Sequence, residues 1–109
     1  MSRLHRAADT IVGADGTATV TLGPAGTWTG WKVQRVSVRL SAGGGFAATY
    51  RNAINEASLI DATSRGDSDV ADYIEPIVLP PGETIVVRWS GADPGARATA
   101  VLAGAEVRL

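Results

Sequence analysis

Apolar side chains recur at every second position along this chain, in short runs closed by Gly, Pro, Asp or Asn. The clearest unit, residues 79–102, reads turn, strand, turn, strand. Pro80-Pro81-Gly82 has the chemistry of a type II turn: Pro81 fixes φ at the second position and Gly82 supplies the positive φ at the third. Ile85, Val87 and Trp89 then alternate with Thr84, Val86, Arg88 and Ser90, the period of a strand with one buried face, which puts Trp89 in the core. Gly91-Ala92-Asp93-Pro94-Gly95 holds no run that can pair, so the chain reverses there before a second strand from about Arg97 to Ala103. The two strands are expected to form a β-hairpin to which the other segments add.

The remaining segments repeat the pattern. Ala18, Val20 and Leu22 alternate with three threonines after the Gly13-Ala14-Asp15-Gly16 turn, and Gly23-Pro24-Ala25-Gly26 ends that strand. Residues 31–40 form the longest run. Trp31 and Val33 share one phase and Val36, Val38 and Leu40 the other; a bulge near Gln34-Arg35 brings all five to one face, the alternative being a strand covered on both sides. Phe46, Ala48 and Tyr50 share a face of a further strand, and residues 58–63 read as a short one. Residues 41–45 read as a loop, 52–57 as a helical turn or loop, and 64–69 as an exposed polar stretch. Val70–Ile74 is read as one helical turn capped by Ser68 or Asp69 and stopped before Pro76. Residues 1–10, basic and with Leu4 as their large apolar side chain, read as an arm or an edge segment. A helix over residues 3–9 is too short to stand alone. Residues 105–109 either prolong the last strand or dock on a neighbour. With no amphipathic helix of ten residues, the expected fold is all-β: one antiparallel β-sandwich or jelly roll of seven or eight short strands over residues 11–109, preceded by an arm at 1–10.

Composition narrows the possible tasks. A chain of 109 residues with 45% hydrophobic and 19% charged residues is sized and balanced for one folded core. Its formal net charge of −1 gives no electrostatic case for a nucleic-acid or acidic-lipid partner. No window approaches the ~18 apolar residues of a membrane span, and the basic start leads into no apolar signal segment. Without cysteine there is no disulfide, thiolate metal site or Cys nucleophile, which fits assembly in a reducing cytoplasm.

Nothing in the sequence nominates a catalyst. His5 is the sole histidine and has no nucleophile motif beside it, so a solvated side chain is the plainer reading. Asp67 and Asp69 match only the first two acidic positions of a calcium loop, and Asp61, Asp72 and Asp93 read as solvated or turn-capping carboxylates. Gly43-Gly44-Gly45 satisfies no phosphate-binding pattern and precedes no helix, and Arg65-Gly66-Asp67 is a chance tripeptide. No cofactor and no metal are expected. The aromatic residues carry more information: Trp28 and Trp31 flank a loop–strand junction, with Trp28 divided between core lid and interface. With Tyr50 they offer flat faces suited to sugars or proteins.

Nine of the ten basic residues are Arg, and Ala, Gly, Val and Asp abound, a signature of GC-rich coding. The order Gly23-Pro24, residues 31–38, Leu59-Ile60-Asp61-Ala62-Thr63, Asp69-Val70-Ala71-Asp72, Pro76-Ile77-Val78-Leu79, Pro81-Gly82-Glu83 and residues 87–99 resembles small β-rich virion structural proteins of actinobacterial tailed phages. The resemblance is one of strands and turns over most of residues 11–104. It implies a non-enzymatic virion component made in the host cytoplasm: a capsid decoration or minor capsid protein binding the major capsid protein as a homo-oligomer, or alternatively a tail protein. A carbohydrate-binding surface module is the alternative from another class. The interface candidates are Arg3, Leu4, His5, Arg6, Trp28, Trp31, Tyr50 and Tyr73.

Overall fold

Alternation along the chain becomes strand after strand. The computed structural model describes residues 2–24, 27–41, 45–51, 59–63 and 68–108. In it run β1 (Ser2–Ile11), β2 (Ala18–Leu22), β3 (Thr29–Leu40), β4 (Phe46–Arg51), β5 (Leu59–Thr63), β6 (Ser68–Leu79), β7 (Ile85–Ser90) and β8 (Arg97–Arg108). They form two antiparallel four-stranded sheets, ordered β1-β8-β3-β6 and β2-β7-β4-β5. Successive strands change sheet at every connection except β4 to β5, the wiring of a jelly roll. The expected all-β sandwich is therefore what the chain builds. Of the expected loops and turns, residues 25–26, 42–44, 52–58 and 64–67 lie outside the described residues.

The core lies between the sheets. Trp89, Leu4, Leu79, Ile85, Leu102, Val33 and Val87 are the largest fully buried side chains. One sheet has strands of ten to twelve residues and the other strands of five or six. Twelve residues at about 3.3 Å each account for the molecule's 40 Å longest dimension. The short sheet covers about half that length, so the long sheet overhangs it.

Two turn expectations hold in detail. Gly82 has φ 87° and the Glu83 N–H donates to the Pro80 carbonyl at 3.1 Å, closing the type II turn. The register of β3 shifts between Val33 and Arg35 against β8, as a bulge there requires, and Trp31, Val33, Val36 and Leu40 are all buried.

Three expectations are corrected. β7 and β8 are not a hairpin: β7 pairs with β2 and β4, and β8 with β1 and β3. The loop between them crosses from one sheet to the other, burying Ala92 and Ala96, and bonds to the other Gly-Ala-Asp turn. Ala92 N–H donates to Gly16 O at 3.1 Å and Gly95 N–H to Val12 O at 2.9 Å. Turn chemistry announces a reversal but not which sheet receives the next strand. The helical turn at 70–74 is instead part of β6, which pairs with β3 through residues 68–72 and 77–79 on either side of an irregularity holding Tyr73 and Ile74. Pro76 fits there because β6 is an edge strand. The arm at 1–10 is also an edge strand, since residues 2–11 pair with β8 in one unbroken register and Leu4 is 1% exposed. One buried leucine and ten ladder partners hold that segment, so of the two readings, arm or edge segment, the edge is the one the described residues form.

Candidate functional site

Because β2 stops at Leu22 while β3 begins at Thr29 and β8 runs on to Arg108, the inner face of the long sheet is incompletely covered at that end. Trp31 closes it. Its ring is 3% exposed, and its Nε1–H donates to Glu106 Oε2 at 3.2 Å. The same oxygen accepts from Arg6 Nη2 at 3.2 Å, and the Arg6 guanidinium lies 5.9 Å from the Trp31 ring centroid. β1, β3 and β8 therefore each contribute one member of a cation–carboxylate–indole cluster: Arg6, Trp31 and Glu106. A cavity of about 360 Å³ opens beside it, lined also by Thr21, Leu22 and Thr29. A wider groove of about 630 Å³ adjoins, with Trp28, Thr27, Glu106 and Arg108 on its walls. Trp28 is 69% exposed, which settles its role against a core lid. A bare indole beside hydroxyl, carboxylate and guanidinium groups suits a polar ligand with a flat apolar face.

The second surface is the β6 edge. Val70 pairs with Ser37 and Val78 with Lys32, which places both on the outward face of the long sheet, where they are 54% and 44% exposed. Between them in sequence Ile74 stands in the irregularity, fully exposed. Asp72, on the same face, is held 2.6 Å from Arg35 Nε. That pairing raises the Arg35 pKa, first through the hydrogen bond and then through charge.

The sequence-predicted interface residues divide. Arg3 and His5 are exposed on β1, Arg6 joins the Glu106 cluster, and Trp28 faces the adjoining groove. Leu4 and Trp31 are corrected: both are buried and cannot form an exposed contact, because they lie on the inward phase of their strands. Tyr50 is half-buried on the outer face of the short sheet beside Arg88 and is not among the residues lining the Trp28 groove. Tyr73 packs against the core from β6. Sequence reasoning missed Glu106, Arg108 and Ile74. Glu106 was legible only as one polar position in an alternating tail, and the helical reading of residues 70–74 hid Ile74.

The chain matches no protein-family model, no curated protein and no solved structure.

Proposed function

We propose that this chain is a non-enzymatic structural protein of a tailed-phage virion, a capsid decoration or minor capsid protein that docks on the shell as a homo-oligomer. The observation that supports a docking role is Ile74, a large aliphatic side chain wholly in water on an edge strand and flanked by Val70 and Val78. Burying one such side chain contributes about 1.5–3 kcal/mol, enough to change an affinity by an order of magnitude or more. The test is binding of the purified protein to isolated shells and isolated tails, with Ile74→Asp as the variant. Binding to shells, weakened at least tenfold (~1.4 kcal/mol) by Ile74→Asp with an unchanged melting temperature, is the expected result. Preference for tails would move the protein to the other end of the particle, and indifference to both would sink the reading.

The exposed Trp28 favours a second reading, a glycan-binding module whose groove stacks a sugar on the indole and hydrogen-bonds it through Glu106 and Arg108. Glycan-array binding abolished by Trp28→Ala, with stability intact, is its signature.

A further inference from the structure

Each sheet ends in two edge strands, and an edge exposes a row of backbone donors and acceptors. β2 and β5 have five residues each. β6 is interrupted by its irregularity and by Pro76, and carries Asp69, Asp72 and Glu75. β1 differs from all three: its ten residues keep one register with β8 throughout and include no proline.

The backbone direction along β1 follows from its last contacts. Val12 N–H donates to Ala96 O at 2.8 Å, toward β8. Arg97, opposite Ile11, turns the other way: its N–H donates to Ser41 Oγ at 2.8 Å and its carbonyl accepts from Ser41 N–H at 2.9 Å. Alternation along an antiparallel strand then points the backbone groups of even-numbered residues at β8. Those of Arg3, His5, Ala7, Asp9 and Ile11 point outward. Among the described residues the Arg6 guanidinium reaches this row, with a long 3.3 Å bond to the His5 carbonyl that leaves its second lone pair available.

We infer that two copies of this chain pair antiparallel through β1, with Ala7 on the two-fold axis, joining their long sheets into one. This contact supplies the self-association in the homo-oligomer proposed above, and that part of the reading is what it rests on. A two-fold axis normal to the sheet keeps both outer faces on one side, so odd residues meet odd residues. Centred on Ala7, His5 of one copy faces Asp9 of the other twice over, Arg3 faces Ile11, and the small Ala7 side chains meet at the axis. On the inner face Arg6 meets Ala8 and Leu4 lies beside Thr10. Centred on Arg6, the pairing would bring Arg3 opposite Asp9 but also set two guanidinium-bearing side chains directly opposite each other at the axis, which is destabilising. Centred on His5, it would leave Asp9 with no partner among the described residues and carry Ile11 past the end of the facing strand.

The Ala7 register therefore sets the Asp9 carboxylate of each copy beside the His5 imidazole of the other and brings no like charges face to face. Asp9 is already oriented on the outer face by Arg97 Nη1 at 3.0 Å. Ile11, 51% exposed, gains cover from the aliphatic stem of the facing Arg3.

The natural absence of cysteine allows a direct reading by single-cysteine variants. Residues that exchange hydrogen bonds across an antiparallel pair have Cα atoms about 5.5 Å apart, inside the roughly 4.4–6.8 Å range of disulfides. Mild oxidation is expected to convert Ala7→Cys to a covalent dimer, with His5→Cys and Arg6→Cys lagging at least tenfold in rate. Light scattering of the unmodified chain is expected to give a dimer, and Ala7→Pro a monomer with an unchanged circular-dichroism spectrum. That proline removes an outward N–H while sparing the bonds to β8. A monomer for the unmodified chain at millimolar concentration, or fastest crosslinking at residue 5 or 6, would overturn the inference. Should Ala7→Pro fail to fold, the crosslinking rates still decide. Shell binding that depends on Ile74 is read separately, so either proposal can fail while the other stands.

Discussion

Replacing Gly104 by alanine tests the bulge on which the long sheet depends. Gly104 lies opposite Val33, where β3 carries its extra residue. A Cβ at position 104 would fall far inside contact with the Lys32 carbonyl oxygen and 3.0 Å from Gln34 N. Those backbone atoms have nowhere to retreat, since Lys32 is paired with Ala105 on one side and Val78 on the other. Overpacking of this kind costs about 1–3 kcal/mol, and opening one or two ladder bonds adds about 1 kcal/mol each. A loss of roughly 2–5 kcal/mol is a large part of the 5–15 kcal/mol typical of a domain, and lowers Tm by roughly 4–8 °C per kcal/mol. Urea unfolding followed by the fluorescence of buried Trp31 and Trp89 measures it. Gly91→Ala is the control: φ there is +65° but a Cβ meets nothing within 4 Å, so backbone strain of about 1–2 kcal/mol is its whole penalty. If Gly104→Ala proved no more destabilising than Gly91→Ala, the close approach argued for the bulge would be refuted.

Two further perturbations address charge. The Asp15 carboxylate accepts from the Thr17 hydroxyl at 2.8 Å and the Thr17 N–H at 3.1 Å, and these bonds, the hydroxyl's first, hold its pKa below the ordinary aspartate value. With the folded pKa depressed, the stabilisation is present above the unfolded value and disappears as pH falls through the folded one. The gap in urea midpoint between the natural chain and Asp15→Ala is thus expected to be full at pH 6 and to narrow as pH falls below the ordinary aspartate value, closing only below the depressed folded one. At the sandwich end, Glu106→Ala leaves Trp31 Nε1 and Arg6 without their shared acceptor, and denaturation is expected to register a loss of about 1 kcal/mol. A double-mutant cycle with Arg6→Ala isolates the coupling. A coupling indistinguishable from zero would reduce the cluster to coincidence of position.

Much of the fold was legible because period-2 alternation reports which face of each strand is buried. The bulge was visible as a change of phase between Val33 and Val36, and Trp89 as core from its phase with Ile85 and Val87. What stayed hidden was non-local. Nothing around Gly91–Gly95 distinguishes a hairpin from a crossing between sheets, since the deciding bonds come from Val12 and Gly16, far away in sequence. Residues 70–74 carry apolar side chains at a spacing that a helical turn and an irregular edge strand share. The functional cluster was half legible: Arg6 and Trp31 stood out as residue types, but Glu106 acquires meaning only once β8 is placed between β1 and β3.

That placement also orders events in time. Of the eight described strands, the one seated between β1 and β3 comes latest in the sequence, so residues 2–11 and 29–40 have no shared neighbour until residues 97–108 emerge. β3 can pair with β6 before then, but β1 has no ladder partner until β8 is made, so the long sheet cannot be completed before the chain has reached residue 108. Any truncation that removes residues 97–108 withdraws the keystone and leaves the flanking strands with nothing to hold them together.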